Sequence, residues 1–129
     1  MARILIVEDE PIVGMQLQES LEEAGHSVPE VVDSGDAVMG AVLAHKPDLI
    51  IMDINLRSFI DGVDAAARVR LVSEVPIIFL TAYPSQGSQD RAIATKPAAY
   101  LLKPINDRQL LDSVDLALSP RPDGRSGRG

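Results

Sequence analysis

Five short apolar runs constrain the fold of this chain more than any other feature: Ile4–Val7, Val28–Val32, Leu49–Met52, Ile77–Leu80 and Tyr100–Leu102. Each is rich in β-branched or aliphatic residues and three are almost uninterrupted, as expected of parallel strands covered on both faces. The segments between them carry helical spacing. Val13, Leu17, Leu21 and Ala24 fall on one face of a first helix, and Leu110, Leu111, Val114, Ala117 and Leu118 on one face of the last. Asn106, with Gln109 three residues on, predicts a capping box opening that last helix. The Ala/Val-rich segments Ser34–Ala44 and Val63–Val72 read as helices too. Between Ala82 and Lys96 only Ala92, Ile93 and Ala94 cluster, so a fourth helix there should be short and weakly anchored.

Five alternations of strand and helix predict an α/β sandwich with right-handed crossovers. Pro29 lacks an N–H, which places the second run on a sheet edge. The doubly wound, flavodoxin-like order 2-1-3-4-5 puts strand two there. The chain's 129 residues suit one domain, against a prior of roughly 150 residues each. We expect that domain to span residues 1–118. Residues 119–129 hold no aliphatic or aromatic side chain and are expected to form a disordered tail.

Composition removes several functions. A net charge of −7 argues against nucleic acid and anionic membrane as partners, since both need a basic footprint. With 3% aromatic residues there is little to stack bases on. Cysteine is absent, excluding thiol nucleophiles and disulfide scaffolds. The four apolar residues after Met1-Ala2-Arg3 fall short of a signal-peptide core of about 7–15, and no run approaches the ~18 of a membrane span. A cytoplasmic location follows as the expectation. His26 and His45 stand in no metal spacing with the acids and read as surface or capping residues.

In open parallel sheets, sites form at the carboxyl ends of the strands. Strand one ends in Glu8-Asp9, strand three in Asp53, strand four in Thr81 and strand five in Lys103-Pro104. Three converging carboxylates repel one another and call for a hard cation. Mg²⁺ takes oxygen ligands and binds through one or two carboxylates plus phosphate oxygens. A carboxylate can also attack phosphorus, and phosphoryl transfer needs mostly positioning and charge neutralisation. The set predicts phosphoryl transfer onto Asp53, with Lys103 and Thr81 helping to neutralise the phosphoryl oxygens.

The stretches Ile4-Leu-Ile-Val-Glu8-Asp9-Glu10, Asp48-Leu-Ile-Ile-Met-Asp53, Leu80-Thr81-Ala82 and Tyr100-Leu-Leu-Lys103-Pro104 resemble, in that order, the motifs of response-regulator receiver domains of two-component signalling. The resemblance runs from Arg3 to about Leu118. It implies that Asp53 accepts a phosphoryl group from a histidine kinase or a histidine phosphotransfer protein. Glu8, Asp9, Asp53 and the Asn55 backbone carbonyl would bind Mg²⁺. Thr81 would bond the phosphoryl group, Tyr100 would reorient with it, and Lys103 would pair with the phosphoryl oxygens. The Lys103–Pro104 bond would be cis. Such a domain is not an enzyme toward other substrates, since it catalyses only its own phosphorylation and dephosphorylation. With no second domain expected, output would be contact with a target protein through the helix 4–strand 5–helix 5 face. The domain would act as a monomer or a weak, phosphorylation-dependent dimer.

Two departures stand out. Arg57 occupies a position where many receivers carry proline, and Gly62 comes nine residues after Asp53 rather than eight, so loop 57–61 holds an extra residue. Tyr83 is a further candidate, as a shield of the phosphoryl group from water. Two other functions compete. In a phosphorelay intermediate, the phosphoryl group would pass on to a histidine phosphotransfer protein. In aspartate-nucleophile phosphatases the nucleophile follows the first strand and the acid pair comes last, the reverse of the order here. A flavin-binding relative is disfavoured because the loop after strand one is acidic.

Overall fold

The computed structural model describes residues 2–119. Its elements alternate as the apolar runs predict: β1 (Ile4–Val7), α1 (Pro11–Glu23), β2 (Val31–Val32), a 3₁₀ turn at Gly35–Ala37 leading into α2 (Val38–His45), β3 (Leu49–Asp53), α3 (Gly62–Arg70), β4 (Ile77–Thr81), α4 (Gln86–Ala94), β5 (Ala99–Leu102) and α5 (Asp107–Leu118). All strand pairs are parallel and the order is β2-β1-β3-β4-β5. This is the doubly wound, flavodoxin-like sheet order that the sequence predicts.

Alternate residues of each strand point to opposite faces, so two cores form. Leu5, Val7, Ile50, Met52 and Phe79 pack under α2, α3 and α4. Ile4, Ile6, Leu49, Ile51, Ile78 and Leu80 pack under α1 and α5. Double coverage explains why β1, β3 and β4 are buried at every position.

Three boundaries differ from the sequence reading by more than one residue. The second strand shrinks from Val28–Val32 to two residues, because Pro29 cannot join the ladder and only Val31 and Val32 reach register with Ile6 and Val7. The helix expected over Ser34–Ala44 starts as a 3₁₀ turn, and the one expected over Val63–Val72 ends at Arg70. Leu71 and Val72 continue only as turns and are exposed. The fourth helix forms despite its weak pattern: Ser85 caps it by accepting from the Ser88 amide, and Ala92 is its one buried residue. Asn106 caps α5 by accepting from the Gln109 amide at 2.7 Å. Ser119, the first residue of the expected tail, closes α5; the rest of that tail, residues 120–129, lies outside the described residues. No helix among the described residues is long and apolar enough to cross a membrane.

Candidate functional site

The parallel register brings the strand ends together. Asp53 pairs with Leu80, and Thr81 with Leu102, while Glu8 follows the Val7–Met52 pair. Glu8 is held at the crossing by its amide, which donates to the Val32 carbonyl at 2.8 Å. Lys103 is held by its own amide, which donates to the Thr81 carbonyl at 2.8 Å, and the Lys103–Pro104 peptide is cis. Gly62 lets the start of α3 press against the end of β3, because a Cβ there would collide with the Asp53 carbonyl and the Ile54 backbone.

On one side of this edge lie the charges. The Lys103 ammonium donates to Glu8 Oε1 at 2.9 Å and to Asp53 Oδ2 at 3.4 Å, and Glu10 Oε1 lies 3.8 Å away. Asp53 Oδ1 accepts from the Asn55 amide at 2.9 Å. Asp9 Oδ2 accepts from both the Arg57 amide, at 2.8 Å, and the Arg57 Nε, at 3.3 Å. Glu8, Asp53 and Thr81 are buried. Burial pushes the Glu8 carboxyl up to about 7, and the Asp53 charge adds to the rise, while the Lys103 hydrogen bond opposes it. Burial pulls the Lys103 ammonium down, but its bond to Glu8 and the Asp53 charge outweigh that, so its net shift is upward. Lys103 therefore stays charged.

Glu8, Asp9 and Asp53 each offer an oxygen within 4.8 Å of the others. This all-oxygen set fits a hard divalent cation.

On the other side lie neutral groups. Thr81 Oγ1 donates to Asn55 Oδ1 at 2.8 Å, the Ala82 amide donates to the same oxygen at 3.2 Å, and the Tyr83 amide donates to Thr81 Oγ1 at 3.2 Å. Tyr100, opposite Phe79 in the sheet, packs against the core under α2–α4, and its buried hydroxyl meets no partner among the described residues. Tyr83 is 77% exposed. Ser58, in the longer loop, donates to the Ile60 carbonyl and accepts from the Gly35 amide, which ties that loop to the start of α2.

Six of the seven site residues expected from sequence, Glu8, Asp9, Asp53, Asn55, Thr81 and Lys103, thus meet at this edge, while Tyr100 lies further back in the sheet, opposite Phe79. Two contacts escaped the sequence reading. Asn55 enters it only through its carbonyl, yet its side chain holds Thr81. Arg57 enters as a departure from pattern, yet it grips Asp9 across 48 positions. His26 accepts from the Ala2 amide and His45 pairs with Glu30, so neither joins the acids.

A model of the response regulator receiver domain family matches residues 4–115. The transcriptional regulatory protein PdtaR of Mycobacterium tuberculosis is 39% identical over 119 residues, covering 91% of this chain and 57% of that protein. The phyllosphere-induced regulator PhyR of Methylorubrum extorquens is 35% identical over 116 residues, covering 89% and 43%. The chain thus spans about half the length of these curated relatives. Among solved structures, the signal receiver domain of a modulated diguanylate cyclase from Desulfovibrio desulfuricans superposes with a TM-score of 0.86 at 33% identity, over 92% of this chain and 94% of that one. The BeF3-activated receiver domain of Klebsiella pneumoniae RstA superposes with a TM-score of 0.82 at 29% identity, over 90% and 97%. Motifs, sheet order and relatives agree: this chain belongs to the response-regulator receiver domains of two-component signalling.

Proposed function

We propose that the domain is a phosphorylation-driven switch whose acceptor is Asp53. The observation that carries this reading is the convergence of Asp53, Glu8 and Asp9 on one another, with the Lys103 ammonium between Glu8 and Asp53. The donor is a phosphohistidine of a histidine kinase or histidine phosphotransfer protein. An Asp53 oxygen attacks phosphorus, the P–N bond breaks, and its electron pair stays on the imidazole nitrogen. Glu8, Asp9, Asp53 and the Asn55 carbonyl would hold Mg²⁺. When bound, the ion neutralises phosphoryl oxygen charge and the repulsion among the acids.

Lys103 is placed to move from the carboxylates to the new phosphoryl oxygens, as a charge already desolvated and oriented. Thr81 donates its hydroxyl proton to one of those oxygens. The added charge of about −1.5 to −2 biases a two-state equilibrium that includes Thr81 and Tyr100. Its output is a protein contact on the α4–β5–α5 face, where Ile93, Leu102 and Leu116 are exposed. We set the domain's end at Leu118.

Incubation with Mg²⁺ and acetyl phosphate, read by intact mass, tests this reading. One phosphoryl group should be gained by the wild type and none by Asp53→Asn. No gain with acetyl phosphate or with a phosphorylated kinase overturns it.

A further inference from the structure

The hydroxyl of Thr81 has one proton to give, and the structure fixes where it goes. The Ala82 amide donates to Asn55 Oδ1 at 3.2 Å, so the carbonyl end of that carboxamide faces β4. Thr81 Oγ1, 2.8 Å from the same oxygen, must then be the donor, and its acceptor side takes the Tyr83 amide at 3.2 Å. Thr81 is fully buried. Its proton is therefore committed to Asn55 and cannot at the same time serve an oxygen on Asp53.

Asn55 also touches the acceptor: its backbone amide donates to Asp53 Oδ1 at 2.9 Å. One residue thus ties the acceptor carboxylate through its main chain and the switch hydroxyl through its side chain. The geometry points to Asn55 as a positioning residue, a latch that holds Thr81 in the unphosphorylated arrangement and sets how much of the phosphoryl binding energy is spent on releasing it. This rests on the reading of Asp53 as phosphoacceptor and Thr81 as donor to the phosphoryl group. Asn55→Ala keeps the main-chain amide and carbonyl, and the Ala82 amide, at an exposed residue, can turn to water. Only the competitor for the Thr81 proton is lost.

The test is a double-mutant cycle read by calorimetric titration with beryllium trifluoride, a phosphoryl mimic, in the presence of Mg²⁺. Asn55→Ala should bind the mimic about three- to tenfold more tightly than the wild type, the worth of one hydrogen bond no longer broken. In a Thr81→Val background the same substitution should bring no gain. Equal affinity of Asn55→Ala and wild type overturns the latch, as does a gain that survives in Thr81→Val. The bond itself is read without any ligand: Thr81→Val should shift the NMR signals of the Asn55 carboxamide and the Ala82 amide, and unmoved signals overturn it. If the wild type fails to bind the mimic, the phosphoacceptor reading falls and takes the latch's role with it. If the wild type binds and Asn55→Ala merely matches it, the latch alone falls.

Discussion

The two halves of the strand edge are built on opposite principles. Around Glu8 and Asp53, buried charge is only partly balanced: one ammonium serves two buried carboxylates and lies near a third, Glu10. Around Thr81 the groups are neutral and their hydrogen bonds close on one another through Asn55. The charged half stores a demand for positive charge, whereas the neutral half stores a preference for one arrangement. On the proposed reading, a phosphoryl group arriving with its cation would answer the first and compete with the second. The contrast teaches that one ligand can be drawn in by one half of a site and resisted by the other.

The largest test of this contrast removes Lys103. Without its ammonium, Glu8 and Asp53 face each other buried and uncompensated, so Lys103→Met should cost about 3–5 kcal/mol of unfolding free energy at pH 8. Urea titrations at pH 8 and pH 5 check it; the loss should shrink at pH 5, where Glu8 holds a proton. An equal loss at both values would separate the lysine's effect from charge.

The next effect belongs to Glu8. Burial pushes its carboxyl up to about 7 in the folded protein, against 4.5 for a free glutamate, so the folded state binds the extra proton between those values. Stability should therefore fall as pH rises through that window, by up to about 3 kcal/mol if nothing else titrates. Glu8→Gln should flatten the profile and be the more stable form at pH 8, as chemical denaturation across pH would register.

Mg²⁺ gives a smaller change of the opposite sign. At ten times its dissociation constant it should stabilise the wild type by about 1.4 kcal/mol at pH 8. Thermal melts should show the rise, and Asp9→Asn should reduce it. The smallest effect lies on the neutral side. Tyr100 buries a hydroxyl that meets no partner among the described residues, so Tyr100→Phe should be neutral or stabilising, by about 1 kcal/mol at most. A loss well beyond that would mean that the hydroxyl is bonded.

The strands were legible because burial on both faces leaves a local mark, an apolar run, and the acids were legible because they end those runs. Pro29 marked the edge for a similarly local reason. The short β2 was less legible, since Val28 looks as apolar as Val31 and only pairing with β1 separates them. Among helices, α4 shows how a cap and a single buried alanine suffice once neighbours supply the packing.

By itself, then, the order of residues determined the α/β alternation, the sheet order, and the delivery of Glu8, Asp9, Asp53, Thr81 and Lys103 to one edge. These follow from periodicity, from strand ends and, for the sheet order, from the edge that Pro29 marks, all readable within a few residues. Only the tertiary structure decided that Arg57 grips Asp9, that Gly62 must lie against the Asp53 carbonyl, that Tyr100 buries its hydroxyl, and that Asn55 holds Thr81. The Arg57–Asp9 and Asn55–Thr81 bonds join positions far apart in the chain, and a hydrogen bond, a steric collision or a buried hydroxyl depends on distances that no spacing along the sequence encodes.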